Sequence, residues 1–130
     1  MRVIALLGLI AVLASCAESP TPPPAINPYT GTRWIQAEGG DAAPTIEFAD
    51  SRASGFAGCN RWFSQVSATR TALHFTAAGT TRRMCDAPAM ETEQLFLATL
   101  EATASGRIED EALVLSDEHG RDLARFRRLR

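Results

Sequence analysis

Cys59 and Cys85, with His74 and His119, are the residues of this 130-residue chain whose types most directly suggest nucleophilic or metal chemistry. Cys59 lies in "GFAGCNRWFSQ", a glycine-rich stretch that could expose a thiol. A reactive cysteine needs a base beside it and a lowered pKa. His74 alternates with Leu73 and Phe75 in "ALHFT", so its side chain is expected to face away from theirs, and His119 precedes Gly120 in a turn. Neither carries a motif that would orient a thiolate. A Cys₂His₂ metal site would require CxxC or HxxxH spacing, and neither spacing occurs. No GxSxG elbow, phosphate loop or dinucleotide fingerprint is present. Glu109, Asp110 and Glu111 stand together as a solvated loop tip rather than as an acid–base pair. All 13 basic residues are arginine, which removes Schiff-base and lysine-nucleophile chemistry. The expectation is a protein that is not an enzyme, with no catalytic residue, no metal and no cofactor.

The first residues bear on compartment. Arg2 precedes an apolar run of 12 residues, Val3 to Ala14. A membrane-spanning helix needs about 20 apolar residues, so the run fits a signal peptide instead. Its end, Leu13-Ala14-Ser15-Cys16, resembles the lipobox of bacterial lipoproteins. The resemblance implies that residues 1–15 are removed and that Cys16 is acylated. Several acyl chains hold a protein firmly at a bilayer. The expected location is the cell envelope, with the membrane as a partner through the lipid. Ala17 stands where an inner-membrane retention signal usually places Asp, which favours the outer membrane, facing the periplasm, in a source with two membranes. Residues 16–30 then form a tether, holding five of the seven prolines. At about 3.1 Å per residue its proline-rich part would reach about 37 Å.

With Cys16 committed to lipid, Cys59 and Cys85 remain, and an oxidising envelope is where such a pair becomes a disulfide. Closing that loop would stabilise the fold by roughly 3–4 kcal/mol in the chain-entropy model. The net charge is −2; losing Arg2 with the signal leaves 12 positive against 15 negative residues, or −3. That balance argues against nucleic-acid binding.

Residues 31–130 must supply the elements that position these side chains. "TRWIQA", "PTIEFAD", the segment through Gly55 and Phe56, "RWFSQVS" and "ALHFT" read as short strands. The closing "RIEDEALVLSDEHGRDLARFRR" reads as three strands joined by turns at Glu109–Glu111 and His119-Gly120. The period changes after Cys85. Asp86 is placed to cap a helix, Pro88 falls in its first turn, and Met90, Leu97, Leu100 and Ala104 recur at helical spacing. Glu91 and Glu93 lie early, where the macrodipole favours negative charge, and Gly106 is the expected stop. The predicted fold is mainly β: a small antiparallel barrel-like domain of about eight short strands with one packed α-helix. Trp34, Ile46, Phe48, Phe56, Phe75, Leu113 and Leu115 are the expected interior. Gly55 and Gly58 would allow positive φ or close approach, and Asn60 tolerates the left-handed region, so the stretch around Cys59 reads as a tight corner.

Two segments carry a second resemblance. Gly55, Gly58, Cys59 and Asn60, then Thr81, Arg82 and Cys85, then Met90 and Glu93 leading into Phe96, Leu97 and Leu100, resemble the META domain family of HslJ-like lipoproteins. The resemblance covers about residues 31–128. It implies a mostly β domain of barrel-like topology with the two cysteines bonded, and it supplies no reaction. Ser64 and Val66 depart from the family's usual glycine and tyrosine after Cys-Asn-Arg, and Met84 is shifted next to Cys85. The expected role is a binding protein for envelope maintenance or stress tolerance, with a protein or cell-envelope partner. The alternative is an inhibitor of a hydrolase such as lysozyme or a protease, using Arg61, Trp62 and Phe63 as its surface. The arginines at 121, 125, 127, 128 and 130 could meet phosphates or carboxylates, or could simply guard a sheet edge.

Overall fold

The computed structural model describes residues 19–21 and 26–130; the signal peptide, Cys16 and part of the tether lie outside the described residues. The strands are β1 (Arg33–Gln36), β2 (Thr45–Phe48), β3 (Arg52–Phe56), β4 (Arg61–Ala68), β5 (Leu73–Phe75), β6 (Gly79–Thr80), β7 (Ser105–Glu109), β8 (Ala112–Ser116) and β9 (Asp122–Arg128). One helix, α1 (Ala87–Ala102), follows β6, and a 3-10 turn at Gly40–Ala42 joins β1 to β2. The strand order is β5-β4-β3-β2-β1-β9-β8-β7, with β6 paired to β4 and every pairing antiparallel. Eight strands thus curl into a nearly closed barrel. The two-residue β6 and the 3-10 turn are too short to leave a periodic trace in sequence.

Closure falls at Gly106. The Leu73 amide donates to Ala104 O at 3.1 Å, and the Tyr29 hydroxyl donates to Gly106 O at 2.6 Å. A Cβ on Gly106 would come within 2.8 Å of Leu73 Cδ2 and 2.9 Å of the Tyr29 hydroxyl, so the seam requires glycine. Gly106 is therefore a strand residue and not the helix stop expected for it. The helix ends at Ala102, where the Thr103 amide bonds Leu100 O and its hydroxyl bonds Thr99 O. Its start is as read from sequence: Asp86 accepts from the Ala89 amide at 3.1 Å, with Pro88 in the first turn.

The buried helix face is Glu93, Phe96 and Leu100, with Leu97 packed at its margin. Met90 is only half-buried, and Ala104 lies past the helix, so the predicted stripe was rotated from the true one. A carboxylate on the core face disguised the spacing of three and four. Glu91 and Glu93 are the fifth and seventh helical residues, beyond the first turn in which the dipole acts.

The interior is filled by contiguous rings. Tyr29 meets Phe48 (5.2 Å between centroids), Phe48 meets Phe75 (6.0 Å), Phe75 meets Trp62 (6.1 Å), Trp62 meets Phe96 (5.4 Å), and Phe96 meets Phe126 (6.3 Å). Trp34, Ile46, Phe48, Phe75, Leu113 and Leu115 are buried as expected. Phe56 is not: it pairs with Arg61 on the outer side and is half-exposed, and Ala57 takes the inner place. Helix and sheet meet through the Trp62–Phe96 pair, which locks the β3–β4 corner onto the barrel. The fold also begins before residue 31. Asn27 donates to Ala49 O and Asp50 O and accepts from the Tyr29 amide, and Tyr29 belongs to the core. The folded unit therefore takes in the last residues assigned to the tether.

Candidate functional site

The β3–β4 connection, residues 57–60, brings the shared motif residues to one place. Cys59 and Cys85 are bonded, with their Cα atoms 5.9 Å apart, and Cys59 is buried. Asn60 is the hub beside them. Its amide donates to Glu93 Oε1 at 2.9 Å, and its Nδ2 reaches Glu93 Oε2 at 3.2 Å and Arg83 O at 3.1 Å. Its Oδ1 accepts from the Arg83 amide at 2.6 Å and the Thr81 hydroxyl at 3.0 Å. The Arg83 guanidinium returns to Cys59 O at 3.1 Å. Asn60 thus ties the loop before Cys85 and the helix to β4, where sequence suggested a residue suited to a left-handed turn. It does not have positive φ.

Both motif glycines are required by geometry. Gly58 has φ +113°, and a Cβ there would approach the Thr92 side chain to 2.8 Å. Gly55 has no positive φ; a Cβ on it would stand 2.1 Å from Thr45 O, so the strand must pass that close. Thr45 was not singled out from sequence, yet it also takes the Phe56 amide on its hydroxyl and the Trp62 indole N–H on its carbonyl. Arg83 was likewise missed, because its backbone does much of the bonding and backbone groups leave no signature in residue type.

The other motif residues divide. Thr81 bonds both Asn60 and the Arg61 amide. Arg82 is exposed and Met90 half-buried, and neither joins the hub. Of Arg61, Trp62 and Phe63, the expected surface, Trp62 must be withdrawn: it is 1% exposed because β4 alternates strictly and residue 62 faces in. Arg61 is exposed, and Phe63 is 60% exposed with its ring lying across Gly79.

Away from the corner, the basic residues of β7–β9 are matched. Arg107 donates to both Asp122 carboxylate oxygens at 2.8 and 2.9 Å and to Glu109 at 2.7 Å. Those hydrogen bonds hold Asp122 at about 2 and lower Glu109, while raising Arg107. Arg121 pairs with Asp117, whose carboxylate is lowered first by the Arg121 backbone N–H. Arg125 reaches Glu109, Arg130 reaches Glu111, and Arg128 lies 4.7 Å over the Trp34 ring. Among the described residues Arg127 and Arg128 of that tail make no ion pair. Most of the tail's charge is thus spent on the barrel itself. His74 and His119 are exposed and line an open cleft with Glu101, Asp117 and Arg121; among the described residues no three His, Cys, Asp or Glu side chains are grouped to hold a metal.

A nearly closed antiparallel barrel of eight strands, pinned by one helix and one disulfide, is a mainly β domain of stapled type. The chain belongs to the META domain family, whose profile matches residues 27–129. That span starts at the same asparagine with which the fold starts. An NMR structure of a protein from Burkholderia xenovorans is 23% identical and superposes with a TM-score of 0.63, over 91% of this chain and 99% of that one. A second NMR structure is 18% identical, with a TM-score of 0.58, over 75% of this chain and 89% of that one. At these identities the likeness is one of fold. No curated protein matches the chain. Among the described residues no helix is long and apolar enough to cross a membrane.

Proposed function

We propose that this protein is a lipid-anchored envelope protein of HslJ type that acts by binding, in envelope maintenance or stress tolerance, and not by catalysis. The observation that carries the reading is how the shared residues are used. Cys59, Asn60, Thr81, Cys85 and Glu93 direct their sulfurs and polar atoms at one another, so the corner braces the fold and offers no free nucleophile. Such a brace suits a surface that must hold its shape outside the cell's reducing interior. The "LASC" end of the apolar run supports acylation at Cys16, with the membrane as one partner.

Metabolic labelling with palmitate tests the anchor. Label is expected on the full chain and absent from a Cys16→Ala variant; an unlabelled parent chain defeats the anchor. Thiol titration of unfolded, unreduced protein is expected to find neither Cys59 nor Cys85 free. A second reading, inhibition of an incoming hydrolase, is favoured by the exposed Phe63 beside Arg61. It requires micromolar binding to lysozyme or a protease, lost in Phe63→Ala. Trp62 is no use for that test, because truncating a buried ring would damage the core.

A further inference from the structure

The outer faces of β1 to β4 carry a second feature, unrelated to the disulfide corner. Arg33, Glu47, Ser54, Phe56 and Arg61 line a cleft of about 150 Å³. Cross-strand register builds it: Arg33 faces Glu47, Glu47 faces Ser54, and Phe56 faces Arg61. Trp34, Thr45, Ile46, Gly55 and Leu129 complete its lining. The half-exposed Phe56 supplies the aromatic wall of the cleft, whereas the Phe63 ring leans the other way, across Gly79. Arg61 forms no ion pair among the described residues, and Arg33 meets Glu47 at 3.5 Å with both side chains more than half exposed. Two guanidinium groups therefore face a small polar hollow that offers one carboxylate and one hydroxyl.

Resting on the reading of an envelope binding protein, we infer that this cleft is a subsite for an anionic glycan. One acidic sugar ring sits in the hollow. Its carboxylate is taken by Arg61 and Arg33, since a guanidinium matches a carboxylate bidentately. Glu47 accepts from ring hydroxyls, Ser54 accepts or donates, and the sugar rests its apolar face against Phe56. The hollow has room for one ring and is too small and too polar to seat a cluster of protein side chains. The chain's net charge of −2 disfavours a nucleic-acid ligand for the same arginines.

Affinity electrophoresis of the full chain in mild detergent tests this, with alginate in the gel as a polymer of uronic acids. Dextran serves as neutral glycan and polyglutamate as acidic peptide. Retardation is expected in alginate, none in dextran, and much less in polyglutamate. Arg61→Gln and Phe56→Ala should each weaken the alginate interaction about tenfold or more, the scale of losing one good stacking or charge-assisted contact. Arg61 is exposed and Phe56 half-exposed and outside the core, and unchanged circular dichroism will show that the barrel is intact. Arg82→Gln, outside the cleft, should leave retardation unaltered. No retardation in alginate, equal retardation in polyglutamate, or equal weakening by Arg82→Gln overturns the proposal. The assay does not depend on acylation, so a chain that binds alginate but takes no palmitate would sink the anchor and leave this site standing.

Discussion

Asn60 and Asp122 are both short polar side chains that hold strands together, and they do it in opposite surroundings. Asn60 is 4% exposed and neutral, and shares its hydrogen bonds with Glu93, Thr81 and Arg83. Asp122 is charged, with a side chain 54% exposed, and holds Arg107 and Ser116. Around Asn60 water is excluded, so a lost partner leaves an orphaned donor or acceptor, and each orphan costs free energy. Around Asp122 water can replace whatever is removed. The corner is therefore a brace whose parts fail together, and the β7–β9 ladder is a set of exposed pairs whose parts fail singly. The β1–β4 cleft differs from both: Arg61 makes no ion pair among the described residues and Arg33 only an exposed one with Glu47, so both guanidinium groups can turn to a ligand.

The sharpest way to break the comparison is to cut the brace. Replacing Cys59 and Cys85 by alanine together removes a closure across a sequence separation of 26, which should cost about 3–4 kcal/mol in urea unfolding. A loss comparable to that of an exposed charge pair would mean the corner is not a brace. Next in size is Glu93→Ala. It strands two donors of Asn60 inside the protein and should cost about 2–3 kcal/mol. Glu93→Gln retains an acceptor for the Asn60 amide and should recover part of that loss. Gly58→Ala follows, at about 1–3 kcal/mol, because an L-residue is forced to φ +113°. Thr92→Ala in the same chain should relieve only the steric share, since the 2.8 Å approach is to the Thr92 side chain.

These parts of the molecule were unequally legible in the sequence. Strand periods in "PTIEFAD" and "ALHFT" and the cap at Asp86 have local causes, so they showed. The strict alternation of β4 did not, because Trp62 and Phe63 are adjacent and equally apolar; only the barrel decides that one faces in and the other out. Glu93 shows the same limit more plainly. A carboxylate in a helix reads as a solvent-facing residue, and its burial makes sense only once Asn60 stands opposite, 33 positions away. Gly106 read as a helix stop because glycine has that use locally, whereas its actual reason is the approach of Leu73 and Tyr29 from distant segments. Of the cleft only Arg61 showed, as part of the expected surface. Its residues come from four strands, and each taken singly is an ordinary surface arginine, serine or phenylalanine.

The smallest expected effect lies on the ladder, and its pH dependence distinguishes it from the corner. Arg107 holds Asp122 at about 2, against an ordinary 3.8, by hydrogen bonding first and with help from Ser116. It also lowers Glu109. A carboxylate lowered in the folded state contributes stability that is complete above its ordinary value and is lost as pH falls through the lowered one. For Asp122 that window runs from about pH 4 down to about pH 2. Arg107→Ala removes the first cause, so the folded-state value of Asp122 should move back towards its ordinary one, held down only by Ser116 and Arg125. At neutral pH the variant should unfold at a slightly lower urea concentration than the parent, and high salt should shrink the difference because exposed charges are screened. Between pH 4 and pH 2 the two chains should converge, the parent losing what the variant never had. A gap that stays constant down to pH 2 would mean that Arg107 acts through its stem, which lies beside the buried Val114, rather than through its charge.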